Sequence, residues 1–153
     1  MKRFLASGFG VGLVWQNIFG NKKGGGTLAP LIFTILVYFL NLNVLALSIL
    51  FVSLLLIYFY SVEDHYADED PSWITLDEIV GMSLVSLASP SEMLPLIAGF
   101  LVFRASDILK QPKFVSQLED YPGKLGVLYD DLGAGLLGLL SATIVYQVSL
   151  LAL

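Results

Sequence analysis

The ionisable residues of this 153-residue chain gather in a few short clusters, and carboxylates dominate those that could do chemistry. Asp77-Glu78 stand just before an apolar run, and Asp130-Asp131 just before another. Arg104, Asp107 and Lys110 recur every third residue, so a helix places them on one face. Hard carboxylate oxygens with no thiol among them suit Mg²⁺ rather than zinc or copper. A further cluster, Lys22-Lys23-Gly24-Gly25-Gly26-Thr27, puts two lysines beside a glycine-rich helix start. Backbone N–H groups and the helix dipole make such a start attractive to phosphate. Taken together, the clusters imply a carboxylate-held metal that polarises phosphoryl oxygens, with cations beside it to receive the anion.

Each cluster alone has a plainer explanation. The glycine run reads slightly more readily as a flexible linker leading into an apolar helix. Thr75-x-x-Glu78 fits a capping box, with Asp77 favoured by the helix dipole. Arg104, Asp107 and Lys110 could form an ion-pair ladder on a wet face. One of Asp130 and Asp131 would serve as the N-cap of the last helix, and the second is harder to explain that way. Gly8-Phe9-Gly10-Val11-Gly12 lacks the spacing of a dinucleotide fingerprint.

The elements that must position these residues are apolar. The chain is 56% hydrophobic and 14% charged, against about 25% charged in ordinary soluble domains. Its mean hydropathy is +0.79. Its length suits a single domain over 1–153. The absence of cysteine excludes disulfides and thiolate chemistry, and the single histidine, His65, excludes any mechanism that needs two. A net charge of −5 without a basic run argues against nucleic acid. The composition predicts an all-α, polytopic membrane protein with short or re-entrant helix hairpins and a C-terminal transmembrane helix.

Leu28–Leu40 and Val44–Tyr60 read as a hairpin about Asn41-Leu42-Asn43, in preference to one helix from 28 to 60. Ile79–Ala88 and Pro90–Phe103 read as a second, with Ser89 as N-cap and Pro90 at the first helical position. Leu132–Leu153 has the roughly 20 apolar residues of a full span. With both hairpins formed, all eight basic residues fall on one side, which the positive-inside rule assigns to the cytoplasm. Tyr38, Phe39, Tyr58, Phe59, Tyr60 and Trp73 suit interfacial belts, and Phe4–Trp15 a retained interfacial segment. Ala134, Gly138 and Ala142 form a small-residue stripe, more readily packing than chemistry, through which a homo-oligomer could assemble.

These residues resemble the phosphatidylglycerophosphatase A family in content and order. The resemblance rests on Gly26-Thr27, Asp77-Glu78-x-Val80-Gly81, Phe103-Arg104-x-x-Asp107-x-x-Lys110 and Gly126-Val127-x-x-Asp130-Asp131-x-x-Ala134-Gly135. It departs from the family where Gly24-Gly25 precede Gly26-Thr27 and where Gln111 separates Lys110 from Pro112. It implies an α-helical, Mg²⁺-dependent inner-membrane enzyme with its active site facing the cytoplasm. The reaction would hydrolyse the terminal phosphate of phosphatidylglycerophosphate, giving phosphatidylglycerol and inorganic phosphate. Asp107, Asp130, Asp131 and Arg104 would then be catalytic. Asp77, Glu78, Asp107, Asp130 and Asp131 would hold metal, and Lys22, Lys23, Gly26, Thr27 and Lys110 would hold substrate phosphate. The chain lacks the Asp-x-Asp-x-Thr of aspartyl-phosphate phosphatases and the Asp-Gly-x-x-Ala-Arg of CDP-alcohol phosphotransferases. The alternative is a non-enzymatic membrane protein that binds or conducts divalent cations, against which the adjacent Arg104 and Lys110 argue.

Overall fold

The computed structural model describes residues 1–20, 24–67, 71–88 and 92–152, which are helical throughout with no strand among them. Two short helices, α1 (Lys2–Ala6) and α2 (Val11–Phe19), lead into a hairpin of α3 (Gly25–Leu40) and α4 (Val44–Ser61). Asn41 in the left-handed region closes α3, and the Asn43 side chain accepts from the Ala46 N–H to open α4. The expected hairpin therefore forms, for local reasons: asparagine tolerates that backbone conformation and is a favoured cap. A single turn, α5 (Asp64–Ala67), follows.

The second hairpin pairs α6 (Leu76–Val85) with α7 (Met93–Leu109). Its helices lie elsewhere than the serine-proline signal predicts. Glu92 is the N-cap of α7, and Pro95 occupies the first turn, where a missing N–H costs nothing. Ser89 and Pro90 themselves lie outside the described residues. At its other end α7 runs on to Leu109, carrying Arg104 and Asp107 within it.

The chain ends in α8 (Lys113–Glu119) and α9 (Lys124–Leu151). The sequence predicts a last helix from Leu132, with Asp130 or Asp131 as its cap. Instead α9 starts behind Tyr121-Pro122-Gly123, with Gly123 as N-cap, so both carboxylates lie inside the helix. Their charge is accommodated because the first turns of α9 are surrounded by protein: Asp130 and Asp131 are 4% and 3% exposed.

α9 is the central strut, packed along α7, α6 and α8. Close approach comes from glycine. A Cβ on Gly138 would lie 2.8 Å from the Gly99 carbonyl and 3.1 Å from Phe103 Cβ, and one on Gly135 would lie 2.8 Å from the Gly81 carbonyl. The Ala134-Gly138-Ala142 stripe is thus consumed by α6 and α7 of the same chain, with both alanines fully buried. It offers no face to a second copy.

α4 and α9 are long and apolar enough to cross a membrane. At about 1.5 Å per residue their 18 and 28 residues extend about 27 and 42 Å. Leu45, Ile49, Val52 and Leu56 of α4 and Leu136, Leu140, Ile144 and Val148 of α9 face outward. Of the expected belt aromatics, Phe39, Phe59 and Tyr60 are exposed. Tyr58 and Trp73 are not: both are core residues, and the Tyr58 hydroxyl donates to the Lys124 carbonyl at 2.7 Å, tying α4 to the first turn of α9. A tyrosine that finds an acceptor inside the fold need not seek an interface.

Candidate active site

The amino-terminal ends of α3 and α6, the carboxy-terminal end of α7 and the early turns of α9 converge on one place. Asp77 and Glu78 come from the first turn of α6, and Asp131 from the third turn of α9. Each offers an oxygen within 4.8 Å of the others. The expected capping box does not form. Thr75 takes the N-cap position, but its hydroxyl makes no cap hydrogen bond. The Glu78 side chain turns into the site instead of back along its helix, as its contact with Gly26 shows.

Asp77 Oδ1, Glu78 Oε2 and Asp131 Oδ1 are buried without a hydrogen-bond partner. Buried anionic oxygens left unsatisfied are costly. Burial pushes the Asp77 carboxyl up to about 6, against the helping hydrogen bond from Glu78. Burial and the like charge of Asp77 push Glu78 well above the usual carboxylate range. Three such carboxylates, with no histidine beside them among the described residues and no cysteine in the chain, could hold a hard divalent cation.

The other two carboxylates are already neutralised. Asp107 Oδ2 lies 2.6 Å from Arg104 Nη1, and its Oδ1 lies 3.3 Å from Lys110 Nζ. Lys110 also ion-pairs with Asp130, and Glu119 Oε2 of α8 stands 3.8 Å away. Burial works against the ammonium, but Asp130, Asp107 and Glu119 outweigh it and hold Lys110 above the ordinary lysine range. The other oxygen of Asp130 accepts from the Asp131 N–H at 2.8 Å. The ladder read from the three-residue spacing therefore exists, although it faces inward rather than into water.

Arg104 is the group best placed to meet an anion. Its side chain is 11% exposed, and Nη2 donates to Thr27 Oγ1 at 3.2 Å, bridging α7 to the start of α3. Its Nε makes no hydrogen bond, and its Nη1 is held by the ion pair with Asp107. Gly26, expected in a phosphate loop, lies against Glu78. A Cβ there would overlap Glu78 Oε1 and lie 2.9 Å from its Cδ, so the glycine is the space into which Glu78 fits. Lys22 and Lys23 lie outside the described residues. Glu119 and Tyr58 were not singled out for the site, and nothing in their spacing marks them; each is defined by a contact across the fold.

No solved structure gives a significant match to this chain. A protein of Bacteroides thetaiotaomicron that carries the provisional name phosphatidylinositol-3-phosphatase is 33% identical over 139 residues, covering 86% of this chain and 84% of that protein. That name describes a phosphatase acting on a lipid phosphate. The sequence pattern of the phosphatidylglycerophosphatase A family matches residues 4–146, and the chain belongs to that family.

Proposed function

We propose that the protein hydrolyses the terminal phosphomonoester of phosphatidylglycerophosphate, releasing inorganic phosphate and leaving phosphatidylglycerol, and that it requires Mg²⁺. The observation that carries this reading is the pairing of three buried, unpartnered carboxylate oxygens of Asp77, Glu78 and Asp131 with the guanidinium N–H groups of Arg104 left over from its contacts with Asp107 and Thr27. The first set fits a cation and the second an anion.

Asp77, Glu78 and Asp131 would hold the metal, which when bound would supply Lewis acidity at the phosphoryl oxygens and lower the pKa of water. Arg104 receives the phosphate. A phosphomonoester carries nearly two negative charges near neutral pH, and a planar guanidinium meets two of its oxygens at once. Asp107 holds that guanidinium in place by pairing with Nη1. Thr27, by accepting from Nη2, leaves its own hydroxyl proton free to donate to the same anion. Because the site sits among helix ends, a lipid headgroup reaches it while its acyl chains stay along the outward apolar faces.

In this reading α4 and α9 cross the membrane, and α3 with the α6–α7 hairpin complete the embedded bundle. By the sequence, residues 20–27, 61–77 and 104–130 then lie at the cytoplasmic face together with Lys2 and Arg3, so that face collects every basic residue of the chain. The provisional name of the Bacteroides relative favours a second substrate, phosphatidylinositol 3-phosphate. Phosphate release from both lipids, in mixed micelles with Mg²⁺ and with a chelator, tests the proposal. We expect turnover of phosphatidylglycerophosphate that needs Mg²⁺ and disappears in Asp131→Asn. Preferential turnover of the inositol lipid would establish the second substrate. Failure of the folded protein to release phosphate from either would overturn both readings.

A further inference from the structure

The Lys110 side chain is surrounded by carboxylates from three elements. Its Nζ pairs with Asp130 of α9, lies 3.3 Å from Asp107 Oδ1 of α7 and 3.8 Å from Glu119 Oε2 of α8. An ammonium has three N–H donors, so each has an anionic neighbour and none is left over for a substrate phosphate. The backbone adds an independent sign. Lys110 closes α7 at φ +50, a conformation usually given to glycine, and a lysine there is strained. A lysine at a helix end normally reaches into water. This one turns inward and is 31% exposed.

Formal charge divides the site in two. Arg104 and Lys110 balance Asp107 and Asp130, whereas Asp77, Glu78 and Asp131 form no ion pair among the described residues, Glu78 feeling only the more distant charge of Arg104. Oxygens gathered around a single point from three elements are what a divalent cation requires, and here a fixed ammonium already fills that point. We propose that Lys110 stands in for a second divalent cation, so that the site takes one metal ion at Asp77, Glu78 and Asp131 and carries its other cation as a side chain. Lys110 is then a positioning residue, holding Asp107 against Arg104 and keeping Asp130 away from the metal. The proposal rests on the reading of Asp77, Glu78 and Asp131 as metal ligands.

Counting bound Mn²⁺ by electron paramagnetic resonance on the detergent-solubilised full chain tests it without reference to activity. Wild type and Lys110→Arg are expected to bind one ion. Lys110→Gly, which suits the backbone at this position, is expected to bind two, the additional one being lost again on adding Asp130→Asn. A Lys110→Gly chain that still binds one ion, or a wild type that binds two, overturns the proposal. A Lys110→Gly chain that folds only with Mn²⁺ supports it, and one that stays unfolded with Mn²⁺ overturns it. Retention of the wild-type ion in Asp131→Asn would instead sink the assignment of the metal ligands, leaving the count gained or not gained at Lys110 to be read separately.

Discussion

Gly26→Ala should separate stability from function more cleanly than any carboxylate replacement. Inside a helix this change normally stabilises by about 0.5–1 kcal/mol, because alanine loses less backbone entropy than glycine. Here the new methyl would overlap Glu78 Oε1 and lie 2.9 Å from Glu78 Cδ. Carbon atoms rest about 3.5–4.0 Å apart, so Cδ must retreat by roughly 0.6–1.1 Å, and the overlapped Oε1 by more. Glu78 is long and rotatable, and its retreat costs the fold little, which leaves the melting temperature close to that of wild type. The cost falls on the site. Magnesium demands near-ideal placement of oxygens at about 2.0–2.1 Å, and an error of about 1 Å in a reacting group costs about 100-fold in rate. That factor corresponds to about 2.7 kcal/mol of transition-state stabilisation. Phosphate release from phosphatidylglycerophosphate, thermal unfolding and Mg²⁺ titration on one preparation provide the comparison. We expect weakened Mg²⁺ affinity and a turnover loss near 100-fold at an unchanged melting temperature. Wild-type turnover at wild-type Mg²⁺ affinity would refute the reasoning. A raised KM with unchanged Mg²⁺ affinity would mean that Gly26 serves the phosphate rather than Glu78.

Other expectations follow from the same geometry. Arg104→Lys keeps the charge but loses the two-pronged donor, so kcat should fall at least tenfold at saturating Mg²⁺ with little change in melting temperature; near-normal kcat would reduce Arg104 to a brace for Asp107. Gly138→Ala places a methyl 2.8 Å from the Gly99 carbonyl and 3.1 Å from Phe103 Cβ, both held by backbone, and should destabilise by about 1–3 kcal/mol in thermal unfolding. An unchanged unfolding curve would mean that α7 and α9 pack less closely than described. With its folded pKa raised from 3.8 to about 6, Asp77 contributes stability to the metal-free protein at low pH that is lost as pH rises through about 6. Metal binding needs the ionised carboxylates, so Mg²⁺ should raise the melting temperature more at about pH 7.5 than at about pH 5. An equal shift at both would remove Asp77 from the metal ligands.

Much of the architecture was legible without coordinates because its causes are local. Asn41-Leu42-Asn43 breaks an apolar run with residues that favour a left-handed turn and a cap, and α3 and α4 end and begin there. The three-residue spacing of Arg104, Asp107 and Lys110 gave one face, and the side chains do pair. Which carboxylates converge was not legible. Asp130 and Asp131 are neighbours in sequence, but successive helical residues point about 100° apart. One therefore meets Lys110 from the end of α7, and the other meets Asp77 and Glu78 of α6. No pattern along α9 names those partners, because the angle at which α6 and α7 cross it is set by Gly81 against Gly135 and Gly99 against Gly138. The same holds for Gly26, whose sequence neighbours suggest a phosphate loop and whose spatial neighbour is a carboxylate. Composition and the Asn41-Leu42-Asn43 break were properties of the chain alone, whereas the starts of α7 at Met93 and of α9 at Lys124 were not. The division of five carboxylates between a converging trio without an ion-pair partner and an internally neutralised pair arose only when the helices packed, since burial and electrostatics act across space rather than along the sequence.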